Sequence, residues 1–555
     1  CWTGEKSEVT ILYTNDVHTY IDNKSPKLTY AAIAAMKQGY VDEGKPVLLV
    51  DAGDHIQGTA YGSMDDGATI IELMNEAGYD IATLGNHEFD YGMARAKAII
   101  KEADFPYVSC NWVDLRTGLR VLPAVKLFPA GGKWIAFVGI TTPESFTKST
   151  PAYFMNAKQT KYIYDILGGD DGRKLYDAVQ KAIDKAKTLG ADIIIGLGHL
   201  GVDPSSSPWT SEEVIANTTG FDAFIDGHSH TVMENKQVYD AAGKAVTLTQ
   251  TGSYFANVGE MTIAPDGTIS TRLVSTYDQE DPAVAAEQAA WVSSVDEMLG
   301  EKIAVADTKF YITDPATGKR RIRSGETNLG DFVADGIYTY FNEVEQLHCD
   351  IAIMNGGGIR SDEDAGYWTF KTCKQVSPFG NVACLMSVTG KQIQDALEFG
   401  ARFAGAEGKE NGGFLQVAGA TYEIHTDIPN TVQTDDKNVW IGSATGTPRV
   451  QNVKIYDRAN GTYVPLDENK TYALAGMNYT LRNLGDGFAM FDGAELIKDY
   501  VSEDYLVMST YAMTFGGVDA EGLPHLSSAN SVLAEYPGYL LDYENPYGAG
   551  RISIL

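Results

Sequence analysis

Asp16, His18, Asp54, Asn86, His87, His199, His228 and His230 are side chains of the kinds that hold divalent metals or move protons. Each lies within a few residues of the end of a short apolar run. VTILYT (9–14) leads into NDVH, VLLV (47–50) into DAGDHIQGT, IATL (81–84) into GNHE, IIIGL (193–197) into GHLG, and AFID (223–226) into GHSH. Five of the nine histidines close these runs. Neutral imidazole is the commonest metal ligand, and carboxylates supply the charge that a pair of divalent ions requires. Taken singly, a DxH, a GNHE or a GHSH is an ordinary polar turn. Five strand ends carrying the same chemistry imply one shared centre.

The elements that must hold these residues alternate in type. The apolar runs, bounded by turn residues, predict buried strands, and IAFVGI (135–140) before TTPES is another. Between them, SPKLTYAAIAAMKQGY (25–40) and GRKLYDAVQKAIDKAKTLG (172–190) space apolar residues as amphipathic helices do. Strand and helix in alternation predict a layered α/β domain, and in open α/β sheets ligands gather at the carboxyl ends of the strands.

The chain has 555 residues, more than one core accommodates, so two domains are expected. A hydrophobic fraction of 44% is that of a globular protein. No run approaches the roughly 18 apolar residues that span a bilayer. With 43 Lys and Arg against 74 Asp and Glu, the formal charge is −31. That argues against a nucleic-acid polymer as ligand, because such binding rests on cationic neutralisation of phosphates. A small phosphate ester would need metals or a local arginine cluster to reverse the field. None of Cys1, Cys110, Cys349, Cys373 and Cys384 forms a CxxC pair, which argues against a thiolate zinc site. Cys373 and Cys384 flank one turn, and spacing leaves a bridge between them open.

The ordered set DxH (Asp16, His18), GD (Gly53, Asp54), GNHE (Gly85–Glu88), GH (Gly198, His199) and GHSH (Gly227–His230) resembles the five-part pattern of the calcineurin-like dinuclear metallophosphoesterases. More narrowly, TNDVH, DAGDHIQGT and GNHEFDYG resemble the 5′-nucleotidase family of extracytoplasmic nucleotide phosphatases, from about residue 8 to past 490. The resemblance implies an α/β architecture: an N-terminal metallophosphoesterase sandwich over 8–280, a linker helix over 281–302, and an α+β substrate-binding domain over 303–555. It implies two divalent ions, of zinc, manganese, iron or cobalt. Asp16, His18, Asp54 and His230 would hold one, and Asp54, Asn86, His199 and His228 the other, with Asp54 bridging. His87 would act on the phosphoryl or leaving oxygen, oriented by Asp90, while Glu88 fixes the loop.

The stretch 281–302 has helical spacing and few breakers, and beyond it the chain is richer in Gly turns. MNGGGIR (354–360) reads as a strand feeding a triple-Gly turn that delivers Arg360, a shape suited to anions. By resemblance, Arg323, Asn355 and Arg360 hold the nucleotide, Phe379 stacks on the base, and Asp486 bonds the ribose hydroxyls. The chain departs from the family at the opposing aromatic. Thr480 stands six residues before Asp486, and the adjacent Tyr479 completes the clamp if the loop shifts by one residue.

The expected activity is metal-dependent hydrolysis of nucleotide phosphoesters, foremost as a 5′-nucleotidase in nucleotide breakdown. Alternatives are a 2′,3′-cyclic-nucleotide phosphodiesterase with 3′-nucleotidase activity, a hydrolase of UDP-sugars, or, from another class, a surface binding protein with a degenerate site. The expected location is extracytoplasmic, with a lipid on Cys1 as the means of membrane attachment.

Overall fold

The computed structural model describes residues 6–22, 28–158, 160–406, 408–498 and 502–555. Cys1, and the lipid attachment expected there, lies outside the described residues. The chain divides into two compact units, Cys1–Val295 and Asp296–Leu555. The division falls inside the helix Pro282–Leu299.

The first unit is built on two sheets. One has the order Ile269–Val274, Val258–Ile263, Val9–Thr14, Val47–Asp51, Ile81–Ala82; its last three strands run parallel. The other has the order Val232–Tyr239, Ala245–Thr251, Ala223–Ile225, Ile193–His199, Lys133–Thr141, Val125–Ala130, with four parallel strands between antiparallel edges. Val9, Ile11 and Val50 of the first sheet pack with Ile135, Phe137, Ile195 and Ile225 of the second in one dry layer. The outer face of the second sheet is covered by Leu175, Val179 and Ile183 of the helix Arg173–Thr188. Strands buried on both faces read as continuous apolar runs, which makes them legible in the sequence. Two elements differ from expectation. The helix expected from residue 25 is described from Tyr30 to Asp42, and residues 23–27 lie outside the described set. The run IATL pairs only over Ile81–Ala82, after which the chain leaves the sheet as a loop.

In the second unit a mixed sheet has the order Leu415–Ala418, Ile351–Asn355, Thr471–Met477, Ala383–Thr389, Glu495–Lys498. Cys373 and Cys384 are not joined by a disulfide, so the bridge left open by spacing is absent. Cys373 packs with Phe332 and Trp368 in one core, and Cys384 with Ile353 and Phe399 in another. The helix Asn328–Thr339 is buried along its whole length, capped by Thr327 Oγ1 accepting from Gly330 N at 3.0 Å. It carries Asp331 and Asp335 into the interior, where Arg551 meets Asp335 Oδ2 at 2.8 Å. Tyr539 and Tyr543 donate to the same carboxylate at 2.6 and 2.7 Å. The C-terminal segment is therefore a charged plug in an apolar interior. Removing one partner of such a pair costs about 3–5 kcal/mol, because the other charge stays buried. Arg551→Ala should accordingly lower the unfolding free energy of the second unit by that order, read as a lower denaturant midpoint, and an unchanged midpoint would refute the plug.

Candidate metal centre

The loops that leave the parallel strands are held in unusual backbone states. Asp16, His18, Asp54, His228 and His230 have φ of 50, 49, 60, 77 and 54°. L residues in this left-handed region cost of order 1–3 kcal/mol each and persist where the surroundings over-determine them. Gly85 shows how closely the loops approach: a Cβ there would lie 2.1 Å from Asp54 Oδ1. Glu88 fastens the same two loops. Its carboxylate accepts from Gly85 N at 2.6 Å, Asp54 N at 2.8 Å and His55 N at 2.8 Å. His55 joins this layer through Asp51 Oδ1 and Tyr107 OH, both at 2.8 Å. Burial works against charge on His55, but Glu88 and Asp51 raise it to about 9, so the buried layer carries its own counter-charge.

Above this layer the candidate ligands converge. Asp16, His18 and His230 form one group, and Asp54, His199 and His228 another; within each group donor atoms lie within 4.8 Å of one another. His18, Asp54 and His87 form a third group that links the two. Backbone carbonyls set the imidazoles. His18 Nδ1 bonds Gln57 O at 2.8 Å and His199 Nδ1 bonds Ala52 O at 2.7 Å, which turns both Nε2 atoms toward the carboxylates. Asp54 Oδ2 lies 3.6 Å from His18 Nε2 and 3.0 Å from His199 Nε2, and Asp54 Oδ1 accepts from His87 N at 2.9 Å. Asp16 Oδ2 accepts from His228 N at 2.9 Å, and Asp16 Oδ1 lies 3.4 Å from His230 Nε2.

The electrostatics ask for cations. Burial works to raise the Asp54 carboxyl, yet His199, His87 and His18 hold it well below the usual range. Burial likewise depresses His199, but Asp54 and Asp16 override it and lift the imidazole to about 10. Carboxylates this concentrated take up positive charge, and divalent ions bound by neutral imidazoles meet that demand. Two further atoms fit such ions. Asn86 Oδ1 is buried with no hydrogen-bond partner, and His199 Nε2 makes no hydrogen bond despite its closeness to Asp54. The donor set of carboxylate, imidazole and amide oxygen suits zinc, manganese, iron or cobalt.

His87 stands beside the centre, its ring 5.2 Å from that of His18. Its Nδ1 meets Asp90 Oδ2 at 2.5 Å, and Asp90 Oδ1 accepts from Ser149 Oγ at 2.8 Å. Two residues have no counterpart in the sequence reading. Ser149 steadies Asp90, and Glu144 accepts from His228 Nε2 at 2.8 Å and Ser206 Oγ at 2.7 Å. Burial works to raise Glu144, but its bond with His228 brings it down to about 2. The available signal is its place: TTPES follows an apolar run as the ligand loops do.

In the second unit, three glycine turns meet around Asp486. A Cβ on Gly357 would touch Gly412 at 3.2 Å, and one on Gly412 would touch Asp486 Oδ1 at 3.2 Å. Asn355 Nδ2 donates to Asp486 Oδ2 at 3.1 Å, and Asp486 N donates to Tyr479 OH at 3.1 Å. The Tyr479 ring lies against Gly485, while Thr480 is buried. Arg360 sits over the Phe379 ring at 5.6 Å. Arg323 has a buried Nε without a hydrogen-bond partner. Burial and the nearby Arg320 and Arg360 push its guanidinium down, against Glu410 and Asp486. Three arginines, Arg320, Arg323 and Arg360, thus lie close together in a chain of net negative charge. Phe414 and Phe488 are core residues, as their surroundings in sequence suggest. Arg402 is not foreseen by the sequence: it stacks on Phe399 at 3.9 Å and feels the charge of Asp486.

Residues 9–232 match the calcineurin-like phosphoesterase family, and residues 302–493 match the 5′-nucleotidase C-terminal domain. The chain is 28% identical over 555 residues to the trifunctional nucleotide phosphoesterase protein YfkN of Bacillus subtilis (strain 168). That match covers 92% of this chain but 34% of YfkN, so the chain spans about a third of that relative's length. It is 29% identical over 551 residues to 5′-nucleotidase of Homo sapiens, covering 91% of this chain and 88% of the relative. In fold it is similar to a 5′-nucleotidase precursor from Thermus thermophilus, with a TM-score of 0.76, 24% identity and 99% of each chain covered.

The grip of Glu88 can be tested directly. Each buried donor left without an acceptor costs about 1–3 kcal/mol. Glu88→Ala should therefore lower the melting temperature and bound metal together, with Glu88→Gln intermediate; full metal content in a normally stable Glu88→Ala protein would mean that the loops hold themselves.

Proposed function

The chain belongs to the calcineurin-like metallophosphoesterases that carry a 5′-nucleotidase C-terminal domain, and from that premise we propose that it hydrolyses nucleoside 5′-monophosphates to nucleoside and phosphate. The observation that carries the proposal is the convergence of five strand-end loops on Asp54 and Asp16, with the imidazoles already turned toward them. In this reading Asp16, His18, Asp54 and His230 hold one ion, and Asp54, Asn86, His199 and His228 hold the other. Bound divalent ions would supply Lewis acidity toward the phosphoryl oxygens and lower the pKa of the attacking water.

The chain's own groups do the rest. With Nδ1 engaged by Asp90, His87 offers Nε2 to a phosphoryl or leaving oxygen, where it donates a hydrogen bond or a proton. Asp90 keeps the ring in one orientation, and Ser149 keeps Asp90 in place. In the second unit, Asp486 would accept from the ribose hydroxyls and Phe379 would stack on the base. Arg323, Asn355 and Arg360 would meet the polar and anionic parts of the nucleotide. Tyr479, fastened to the Asp486 loop, is the candidate for the second stacking face. The net charge of −31 makes a polymeric nucleic acid a poor substrate. No described helix is long and apolar enough to cross a membrane. The extracytoplasmic location belongs to this proposal by resemblance to the family.

Phosphate release should be followed on AMP, UMP, ADP, a UDP-sugar, 3′-AMP, 2′,3′-cyclic AMP and p-nitrophenyl phosphate, after EDTA and after adding back Mn²⁺, Zn²⁺ or Co²⁺. The expected result is loss with EDTA, recovery with metal, and preference for the 5′-monophosphates. Preference for the cyclic or 3′ compounds would reassign the substrate, and equal activity with and without metal would reject the mechanism. His87→Ala should lower kcat by about 10²–10⁴-fold, the usual range for a lost proton-transfer group, with bound metal unchanged. Retention of wild-type kcat would remove His87 from the reaction.

A further inference from the structure

The two ligand sets proposed above are unequal in charge. Asp16, His18, Asp54 and His230 include two carboxylates. Asp54, Asn86, His199 and His228 include one, and it is shared. Glu144 lies on the far side of the second set. It is buried, and its Oε2 accepts from His228 Nε2 at 2.8 Å. Ser206 Oγ donates to the same oxygen at 2.7 Å.

The histidines also differ in how they are set. His18 and His199 give Nδ1 to neutral backbone carbonyls, Gln57 O and Ala52 O, and so present Nε2. His228 is engaged differently: its Nε2 meets a carboxylate, so Nδ1 is the ring nitrogen left for an ion. A carboxylate behind an imidazole fixes the tautomer and increases the basicity of the other ring nitrogen. A backbone carbonyl fixes the tautomer but brings no net charge.

We infer that Glu144 is a positioning residue that supplies, through His228, the negative charge missing from the Asp54–Asn86–His199–His228 set, and so controls the affinity of that one metal position. The inference rests on the dinuclear reading above and adds to it a residue outside the ligand sequence motifs. Ser206 would tune the effect by holding the carboxylate in line with His228. The centre would then be asymmetric by construction. One position draws its second anion from a direct ligand, Asp16, and the other draws it from behind a histidine.

The test is stepwise metal titration of the EDTA-stripped full chain with Co²⁺ and with Mn²⁺, by calorimetry and by metal content after dialysis. Wild type should hold two ions. In Glu144→Ala one binding step should weaken by about 10–100-fold, the range for loss of such a supporting carboxylate, while the other step stays within twofold. Glu144→Gln keeps the shape and an acceptor oxygen without the charge. It should show the same selective weakening to a smaller degree, and it carries the test if Glu144→Ala does not fold. Asp16→Asn should weaken the other step. Equal weakening of both steps with a lowered melting temperature would make Glu144 a structural residue and overturn the inference. Two unchanged steps in a folded Glu144→Ala would overturn it alone, whereas a wild type holding fewer than two ions would overturn the dinuclear reading and this inference with it.

Discussion

The first unit is organised around buried negative charge at Asp54. This carboxylate sits among the imidazoles of His18 and His199 and takes the backbone N–H of His87. Taking a carboxylate out of water is expensive unless opposite charge and donors replace the lost hydration. Much of the surrounding chain serves that requirement. Glu88 binds the loops that deliver Asp54 and Asn86 by three backbone N–H groups, and Gly85 lets those loops touch. The left-handed backbone at Asp16, His18, Asp54, His228 and His230 is the local cost of turning these side chains inward from strand ends. The rigid two-sheet sandwich, with its dry layer of Val9, Phe137 and Ile195, supplies the stability that offsets it.

Charge is arranged in layers going outward from this centre. Nearest are the candidate ligands. Behind them lie groups that fix their direction: Gln57 O for His18, Ala52 O for His199, Glu144 for His228 and Asp90 for His87. Deeper still, His55 pairs with Asp51 and Glu88 in a layer buried from solvent. Each layer restricts the one above it. The proposed reaction would need that restriction, because in-line displacement tolerates little error in the position of the reacting oxygens.

The second unit meets the opposite problem. In a strongly acidic chain it gathers Arg320, Arg323 and Arg360 near one another, with glycine turns at 356–358, 411–413 and 485–487 around Asp486. Asp486 adopts a left-handed φ of 53°, as several candidate ligands of the first unit do, and is held by Asn355 and Tyr479. Its interior is built on another buried charge, the Arg551–Asp335 pair. That pair closes the C-terminal segment over the helix Asn328–Thr339.

The sequence by itself determined the strands and the order of the loops that carry the candidate ligands. Fully buried strands must be apolar throughout, and metal ligands must be Asp, His or Asn, so both leave a local mark. The GNHE and GHSH loops were legible for that reason, and so was the role of Glu88 as a loop fastener. Spacing did not decide the state of Cys373 and Cys384; tertiary packing placed them in different cores. Nor did local pattern reveal Glu144, Ser149, Arg402 or Arg551. Each acts on a partner 59 or more residues away, as Glu144 does on His228, Ser149 on Asp90, Arg402 on Asp486 and Arg551 on Asp335. A residue that orients or neutralises a partner far along the chain has no required neighbour in sequence. Only the folded chain, by bringing the two together away from water, gives it that role.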